Sequence, residues 1–236
     1  MMNEMLKRTE LLIGAEGIEK LKNSHVAIAG IGGVGSYVAE AMVRTGVGTV
    51  TIVDFDTVDV TNINRQIHAL YSTVGKRKVK VMAERLADIN PDAVIIAKDS
   101  FITADNVAEL FCDKYDYIID AVDNVTAKIA LALYCRENEI PFISSMGTAN
   151  KLDNTKFRIC DLSETKVCPL ARVMRHEMRK RGVEKGITVL YSEAEAMKLT
   201  QTGEDKPVPG SVMFVPAVGG LMLAGKVIND IINNQK

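Results

Sequence analysis

The chain has 236 residues, 47% of them hydrophobic and 25% charged, with a formal net charge of -1 at pH 7. That length and balance suit a globular protein with a sizeable core, and they exclude one coated in positive charge, so any contact with nucleic acid has to come from a local basic patch. Cys112, Cys135, Cys160 and Cys168 are spread without a CxxC pair, so no structural zinc is expected; with no signal peptide over residues 1–13, reduced thiols and a cytoplasmic location are expected.

Residues 1–23 read as a helical leader with little core of its own, carrying Arg8, Leu11, Leu12 and Ile13. The apolar run 26–29 reads as a short buried strand. It opens into Gly30-Ile-Gly-Gly-Val-Gly35 and then a helical pattern with Val34, Val38, Ala41 and Met42 on one face. Strand, glycine turn and helix together make the layout of a phosphate-binding βαβ unit: Gly30 permits the tight turn, Gly32 lets backbone approach a phosphate, and Gly35 lets the helix sit close to the strand. By itself the turn does not name the ligand. The next strand, 49–53, ends in Asp54-Phe55-Asp56, and an acid about 20 residues after such glycines is where a ribose hydroxyl is held. Asp54 is therefore the ribose candidate.

Thr61-Asn-Ile-Asn-Arg-Gln66 follows, and then a helix over 76–89 with Val79, Met82, Leu86 and Ile89 at helical spacing. The spacing predicts a third strand at 93–97, a helix over 103–112, a fourth strand at 117–122 ending in Asp120-Ala-Val-Asp123-Asn124, a helix over 127–138 and a fifth strand at 141–146. Alternating strands and helices predict an α/β fold, Rossmann-like, with a mostly parallel sheet, helices on both faces and ligands at the C-terminal ends of the strands. After Gly147 the pattern becomes less regular: a strand at 157–161, a basic helix at 169–181, a strand at 188–191, a polar loop at 193–210, and an apolar terminal segment at 211–233, a strand or turn and a helix packing on the sheet. The uncharged run 210–225 falls short of the ~20 apolar residues a membrane span requires, so it reads as a buried segment. The chain 1–236 reads as a single domain: leader 1–23, nucleotide-binding core 24–147, and substrate-side elements with a C-terminal segment, 148–236.

Joining a carboxylate to the α-phosphorus of ATP brings anion onto anion and expels pyrophosphate, which calls for several cations and a metal ligand around the triphosphate. Arg65, Lys78 and Asp123, with Asn62 as a hydrogen-bonding group, supply such a set at strand ends and adjoining turns. Asp123 suits Mg²⁺, which takes one or two carboxylates together with phosphate oxygens. Each well-placed cation is worth about 3 kcal/mol in the transition state. An NAD-dependent oxidoreductase is the competing reading of the glycines and Asp54, and the phosphate-directed set counts against it.

The combination Gly30-x-Gly-Gly-x-Gly35, Asp54-x-Asp56, Thr61-Asn62-x-x-Arg65-Gln66, Lys78 and Asp120-x-x-Asp123-Asn124 resembles the adenylyltransferase superfamily of ubiquitin-activating-type enzymes. The resemblance implies an ATP cradle at Gly30, Gly32, Gly33 and Gly35 with Asp54 and Asp56, phosphate contacts from Asn62, Arg65 and Lys78, and Mg²⁺ on Asp123. Arg8 resembles the arginine that homodimers of this superfamily insert into the partner's ATP site. The carrier-activating members commonly have two CxxC pairs, and this chain has none. Ser144-Ser-Met-Gly147, Asn150-Lys151-Leu-Asp153, Val167-Cys-Pro-Leu-Ala-Arg172 with Arg175, and Gly210-Ser-Val-x-Phe-Val-Pro216 are instead similar to the superfamily's tRNA-modifying branch. That branch implies ATP-dependent dehydration of a threonylcarbamoyl group on a tRNA adenosine, with tRNA as substrate, a homodimer, and a sulfur-transfer protein as a candidate partner. The alternative is an adenylyltransferase for a ubiquitin-like sulfur carrier.

The local basic patch demanded by the net charge lies at 169–186, where six cations face two carboxylates. Arg172, Arg175, His176 and Arg179 fall on one helical face that can track a phosphate backbone. No covalent step requires Cys168, and the other three cysteines read as core residues in regular elements.

Overall fold

The computed structural model describes residues 4–197 and 209–234. A 3-10 turn at Glu4–Leu6 leads into α1 (Lys7–Lys22), followed by β1 (His25–Ala29), α2 (Gly35–Thr45), β2 (Thr49–Val53), α3 (Lys78–Ile89) and β3 (Val94–Lys98). The one-turn α4 (Val107–Leu110), β4 (Tyr117–Asp120), α5 (Val125–Glu137) and β5 (Phe142–Ser145) complete the regular half. The rest contains β6 (Phe157–Asp161), α6 (Pro169–Lys180), β7 (Thr188–Ser192) and α7 (Phe214–Ile232).

The seven strands form one sheet in the order β3-β2-β1-β4-β5-β7-β6. Every pairing is parallel except β6 with β7 at one edge. Successive side chains of a strand point to opposite faces, and β1 shows the result. Val26 and Ile28 join a core with Val38 and Met42 of α2, Met82 and Leu86 of α3, and Leu223 and Val227 of α7. Ala27 and Ala29 face the other way, into a core with Phe111, Ala127 and Leu131. A third cluster beneath α6 gathers Met174, Met178, Val189 and Tyr191. Helices therefore cover both faces, as the alternation predicts.

The strand order reverses between β1 and β4, opening a crevice at their C-terminal ends, and the glycine turn occupies it. Gly30 adopts φ 85°, and a Cβ there would come within 2.9 Å of the Ala121 carbonyl and the Val122 nitrogen. A Cβ on Gly35 would sit 1.8 Å from the Gly30 oxygen. The turn can thus be made only by glycine at these two positions, and β4 and α2 close on it from either side.

Three expectations change. The helix expected over 103–112 shrinks to α4, because Thr103 and Asn106 cap one another: Thr103 N–H donates to Asn106 Oδ1 at 2.8 Å and Asn106 N–H to Thr103 Oγ1 at 3.3 Å, holding the first residues in a turn. In consequence Cys112 lies past the helix and is exposed, and Cys160 is only half-buried on the edge strand; Cys135 alone of the three is buried core. The terminal helix α7 outruns the stretch 210–225. At 19 residues it is long and apolar enough to span a bilayer by composition, but half of it is buried in the fold, where it packs on α2 and α1. A Cβ on Gly220 would meet the Val34 carbonyl at 2.5 Å, so glycine there is what lets α7 cross α2 closely. Of the loop expected at 193–210, residues 198–208 lie outside the described residues.

Candidate active site

Three kinds of group converge on the crevice: free amides, cations and a carboxylate. Gly30 N–H donates to the Val53 carbonyl at 2.8 Å and Ser36 N–H to the Gly32 carbonyl at 3.1 Å. Between them the amides of Gly32, Gly33 and Val34 have no acceptor among the described residues. A run of unbonded amides at the start of α2 is a ready cradle for phosphate oxygens, favoured further by the helix dipole.

Asp54 directly follows β2 and is 9% exposed. Its carboxylate accepts from the Ile31 N–H at 2.7 Å and the Asp56 N–H at 2.8 Å, tying the glycine turn to the β2 edge. Burial raises its pKa above the usual carboxylate value, against the lowering effect of those two N–H groups. Each oxygen keeps a second lone pair, so the group can still accept from a ribose hydroxyl. Asp56 accepts from the buried Lys78 Nζ at 2.7 Å, and the Asp56 carbonyl accepts from the Lys78 N–H at 3.0 Å. Lys78 is the first residue of α3, so this double clamp fixes its ammonium beside the β2 edge.

The 61–66 segment wraps over the glycines. Asn62 is buried, and its Oδ1 accepts from Asp59 N–H at 3.2 Å, closing a reciprocal cap with the Asp59 carboxylate. That bond leaves the amide NH₂ as its hydrogen-bonding reserve. Arg65 Cγ lies 3.5 Å from where a Gly33 Cβ would stand, with Pro216 of α7 at 3.3 Å on the same glycine. Its guanidinium donates to the Thr61 carbonyl and to Asn64 Oδ1, each at 2.9 Å. Asn64 in turn donates to the Ser211 carbonyl at 2.9 Å, while Gly210 N–H donates to Asn150 Oδ1 at 2.6 Å. The Asn64–Ser211 bond ties the C-terminal part to the 61–66 segment beside the glycine turn.

Asp123 stands in the turn between β4 and α5. It is exposed and has no partner among the described residues, while its neighbour Asn124 caps α5 by accepting from Ala127 N–H at 3.0 Å. Among the described residues no group of three or more His, Cys, Asp or Glu gathers to hold a metal. A lone free carboxylate beside a phosphate cradle fits Mg²⁺, which takes most of its ligands from phosphate and water.

Other residues singled out by the sequence lie apart from this cluster. Arg8 is exposed on α1, with no hydrogen bond or ion pair to the crevice among the described residues. Arg172 and Arg179 are exposed on α6, whose opposite side buries Ala171, Met174 and Met178. Arg175 shares their face but turns inward, donating to the Thr165 carbonyl at 2.9 Å and to its hydroxyl. Cys168 is buried as the residue before α6, 3.7 Å from where a Gly147 Cβ would lie. The preceding Val167 has φ 59°, a strained conformation for a β-branched residue.

Residues to which the sequence assigns no role also belong here. Gln66 has its Nε2 at 4.0 Å from a Gly32 Cβ position and its Oε1 buried without a partner among the described residues; its place next to Arg65 in the 61–66 motif is the signal for it. Lys128 and Asp120 form a fully buried ion pair directly behind the Asp123 turn. A lysine inside the apolar run of α5 is the trace that pair leaves in the sequence.

A Rossmann-type crevice that combines a phosphate cradle, two cations and a metal-suited carboxylate defines a nucleotide-binding enzyme of the adenylate-forming class. The chain belongs to the ThiF family, whose profile matches residues 6–236. It is 45% identical to tRNA threonylcarbamoyladenosine dehydratase of Bacillus subtilis (strain 168), over 99% of this chain and 96% of that protein. The crystal structure of E. coli tRNA N6-threonylcarbamoyladenosine dehydratase, TcdA, in complex with ATP superposes with a TM-score of 0.90 at 35% identity, covering 98% of this chain and 95% of the other. Molybdopterin-synthase adenylyltransferase of Escherichia coli (strain K12) is 28% identical over 86% of this chain and 83% of its own length.

Proposed function

We propose that this protein uses ATP to dehydrate the threonylcarbamoyl group of a modified adenosine in tRNA, closing it to a ring. The threonyl carboxylate attacks the α-phosphorus of ATP and releases pyrophosphate. A ureido nitrogen of the same side chain then attacks the activated carbonyl carbon, losing a proton as AMP departs. A tethered nucleophile has a high effective molarity, so ring closure needs no protein nucleophile. The substrate loses one oxygen and two hydrogens, and the oxygen leaves on AMP.

The protein's part is positioning and charge. The amides over Gly32–Val34 and the glycine turn receive phosphate oxygens, Asp54 holds the ribose, and Arg65, Lys78 and Asn62 draw charge from the triphosphate as pyrophosphate leaves. Asp123 would hold Mg²⁺, which when bound with the nucleotide would supply neutralisation of phosphate charge. In a homodimer, Arg8, exposed on α1, reaches the partner's crevice, as its resemblance to the inserted arginine of such homodimers implies. The exposed Arg172 and Arg179 of α6 track the tRNA backbone, and a cytoplasmic location follows from that substrate. A sulfur-transfer protein is a further partner consistent with the family.

The observation that carries this reading is the meeting of Arg65, Lys78–Asp56 and the Asp123 turn around one glycine cradle, in a chain alike from end to end to dehydratases of this kind. The test is incubation with Mg-ATP and tRNA bearing the threonylcarbamoyl group, followed by nucleoside mass spectrometry. A loss of one water (about 18 mass units, as the chemistry requires) is expected. An unchanged nucleoside, with AMP release on a small carrier protein instead, overturns it. Mixing inactive Arg8→Ala and Asp123→Ala subunits restores activity if Arg8 acts in trans, and verified heterodimers without activity refute that role.

A further inference from the structure

Asp123 has no hydrogen bond or ion pair among the described residues, and the turn carrying it is pinned from both sides. On the β1 side, Ala121 N–H donates to the Ala29 carbonyl at 2.8 Å, and the backbone of Ala121 and Val122 lies against Gly30. On the α5 side the turn is closed by a network with no access to water. Lys128 Nζ donates to Asp120 Oδ2 at 2.9 Å, Ser144 Oγ at 3.2 Å and the Ser145 carbonyl at 2.7 Å. Ser144 Oγ donates to the same Asp120 oxygen at 2.6 Å, and Asp120 Oδ1 accepts the Val122 N–H at 3.0 Å. Lys128 and Asp120 are both 0% exposed.

All three ammonium hydrogens are used, and both carboxylate oxygens are bonded. Such a network is costly to bury, and an apolar cluster of the same volume would hold the helix to the sheet at least as well. What an apolar cluster would not do is bond the Val122 amide, which bends the chain out of β4 and into the Asp123 turn. The network also joins the ends of β4 and β5 to the first turns of α5, the three elements that converge on the crevice.

We infer that the Lys128–Asp120–Ser144 network is a positioning device for Asp123, holding the 121–124 turn against the glycine loop so that the carboxylate faces the nucleotide's metal. Lys128 is a positioning residue here, since it touches neither substrate nor nucleotide. The inference rests on the proposed role of Asp123, and the experiment separates the two.

Lys128→Met, Lys128→Arg, Ser144→Ala and Asp123→Asn are compared by amide hydrogen exchange without nucleotide and by the Mg²⁺ dependence of turnover at fixed ATP. Lys128→Met is expected to speed exchange at 121–124 at least ten-fold, with amides of β1 and α7 within two-fold of wild type, and to raise half-saturating Mg²⁺ at least five-fold. Lys128→Arg, which keeps the charge and donors, recovers most of both losses. Ser144→Ala removes one bond only, and it shifts both readings in the same direction by a few-fold even if Lys128→Met fails to fold. Unchanged exchange at 121–124 in Ser144→Ala and in Lys128→Met, or a general rise in exchange with unaltered Mg²⁺ dependence, overturns the inference. Wild-type Mg²⁺ dependence in Asp123→Asn instead refutes the assignment of Asp123 while leaving the exchange result to judge the network.

Discussion

The two halves of the molecule use their polar residues in opposite ways. Across residues 24–147 the groups at the strand ends are held by neighbours: Asp54 by two amides, Lys78 by Asp56, and the Asp123 turn by Lys128 and Asp120. Across 148–236 the cations that matter for the proposed substrate, Arg172 and Arg179, stand exposed on α6, while Arg175 is turned in to Thr165. Preorganised groups suit a transition state, whose charge develops at fixed points. Solvated arginines suit a polyanion, whose phosphates can be met in many registers. The contrast predicts large, discrete losses in the first half and graded, salt-dependent ones in the second.

The largest effect is expected at Arg65. Arg65→Ala removes a cation beside Gly33 without emptying a core site, so the fold should keep its thermal midpoint while turnover falls by about 10²–10³. Single-turnover rates at saturating ATP measure this. A loss under ten-fold would break the contrast, since a preorganised site should not tolerate removal of a main cation.

Much of this first half can be read from the sequence because each piece is local. The strands and helices from β1 to β5 show in alternating and helical spacing, and glycines at 30 and 35 leave a mark because no side chain fits there. The strand β2 and the edge strand β6 fall where the pattern places them. Other features depend on partners far along the chain. Lys128 stands out in the apolar run of α5, but its partner Ser144 of β5, 16 residues on, is brought beside it only by the fold. The reciprocal cap of Thr103 and Asn106 competes with a helix whose apolar spacing is sound, and spacing alone does not register that competition. Arg175 differs from Arg172 only in lying nearer the buried face of α6, within reach of Thr165.

A smaller effect, on stability, concerns His68, buried just after the 61–66 segment, with neither ring nitrogen bonded among the described residues. Burial, with Lys78 and Arg85 nearby, pushes its pKa down to about 4 from the ordinary 6.5. Between those values the unfolded chain binds a proton that the folded chain refuses, so stability falls as pH drops from 6.5 towards 4, by roughly 3 kcal/mol at the lower end. Urea unfolding across this range is expected to show that slope, and His68→Leu to flatten it. An unchanged slope in the variant would place the acid sensitivity elsewhere. This sharpens the comparison: in the first half the buried lysines Lys78 and Lys128 each have a carboxylate partner, whereas the buried imidazole, beside cations alone, stays neutral.

Next in size is the basic helix. Arg172→Ala with Arg179→Ala is expected to weaken tRNA binding by about ten-fold and to reduce the slope of log affinity against log salt by roughly 2, about one unit for each phosphate that is no longer neutralised. Affinity for ATP should be unaffected, because neither residue reaches the glycine loop. Filter binding at several salt concentrations measures both quantities. An altered rate at saturating tRNA, with the salt slope intact, would move these arginines into the first class of residue.

The smallest effect is expected where analogy would place the most chemistry, at Cys168. A cysteine that accepted the activated acyl group could not be removed without stopping the reaction. Here the sulfur is buried beside Gly147 and Ala171, at 2% exposure, in the apolar cluster under α6. A dehydration whose nucleophile is already tethered to the activated carboxyl has no acyl group to hand over. Cys168→Ala therefore removes one buried atom from a packed cluster, costing about 1 kcal/mol of stability, and turnover should stay within about three-fold of wild type, on the scale of such a packing change. Loss of turnover with full thermal stability, together with capture of a covalent substrate adduct on wild-type enzyme, would mean that the second half contributes a reacting atom. The division between a preorganised site and a solvated binding face would then run through α6 rather than in front of it.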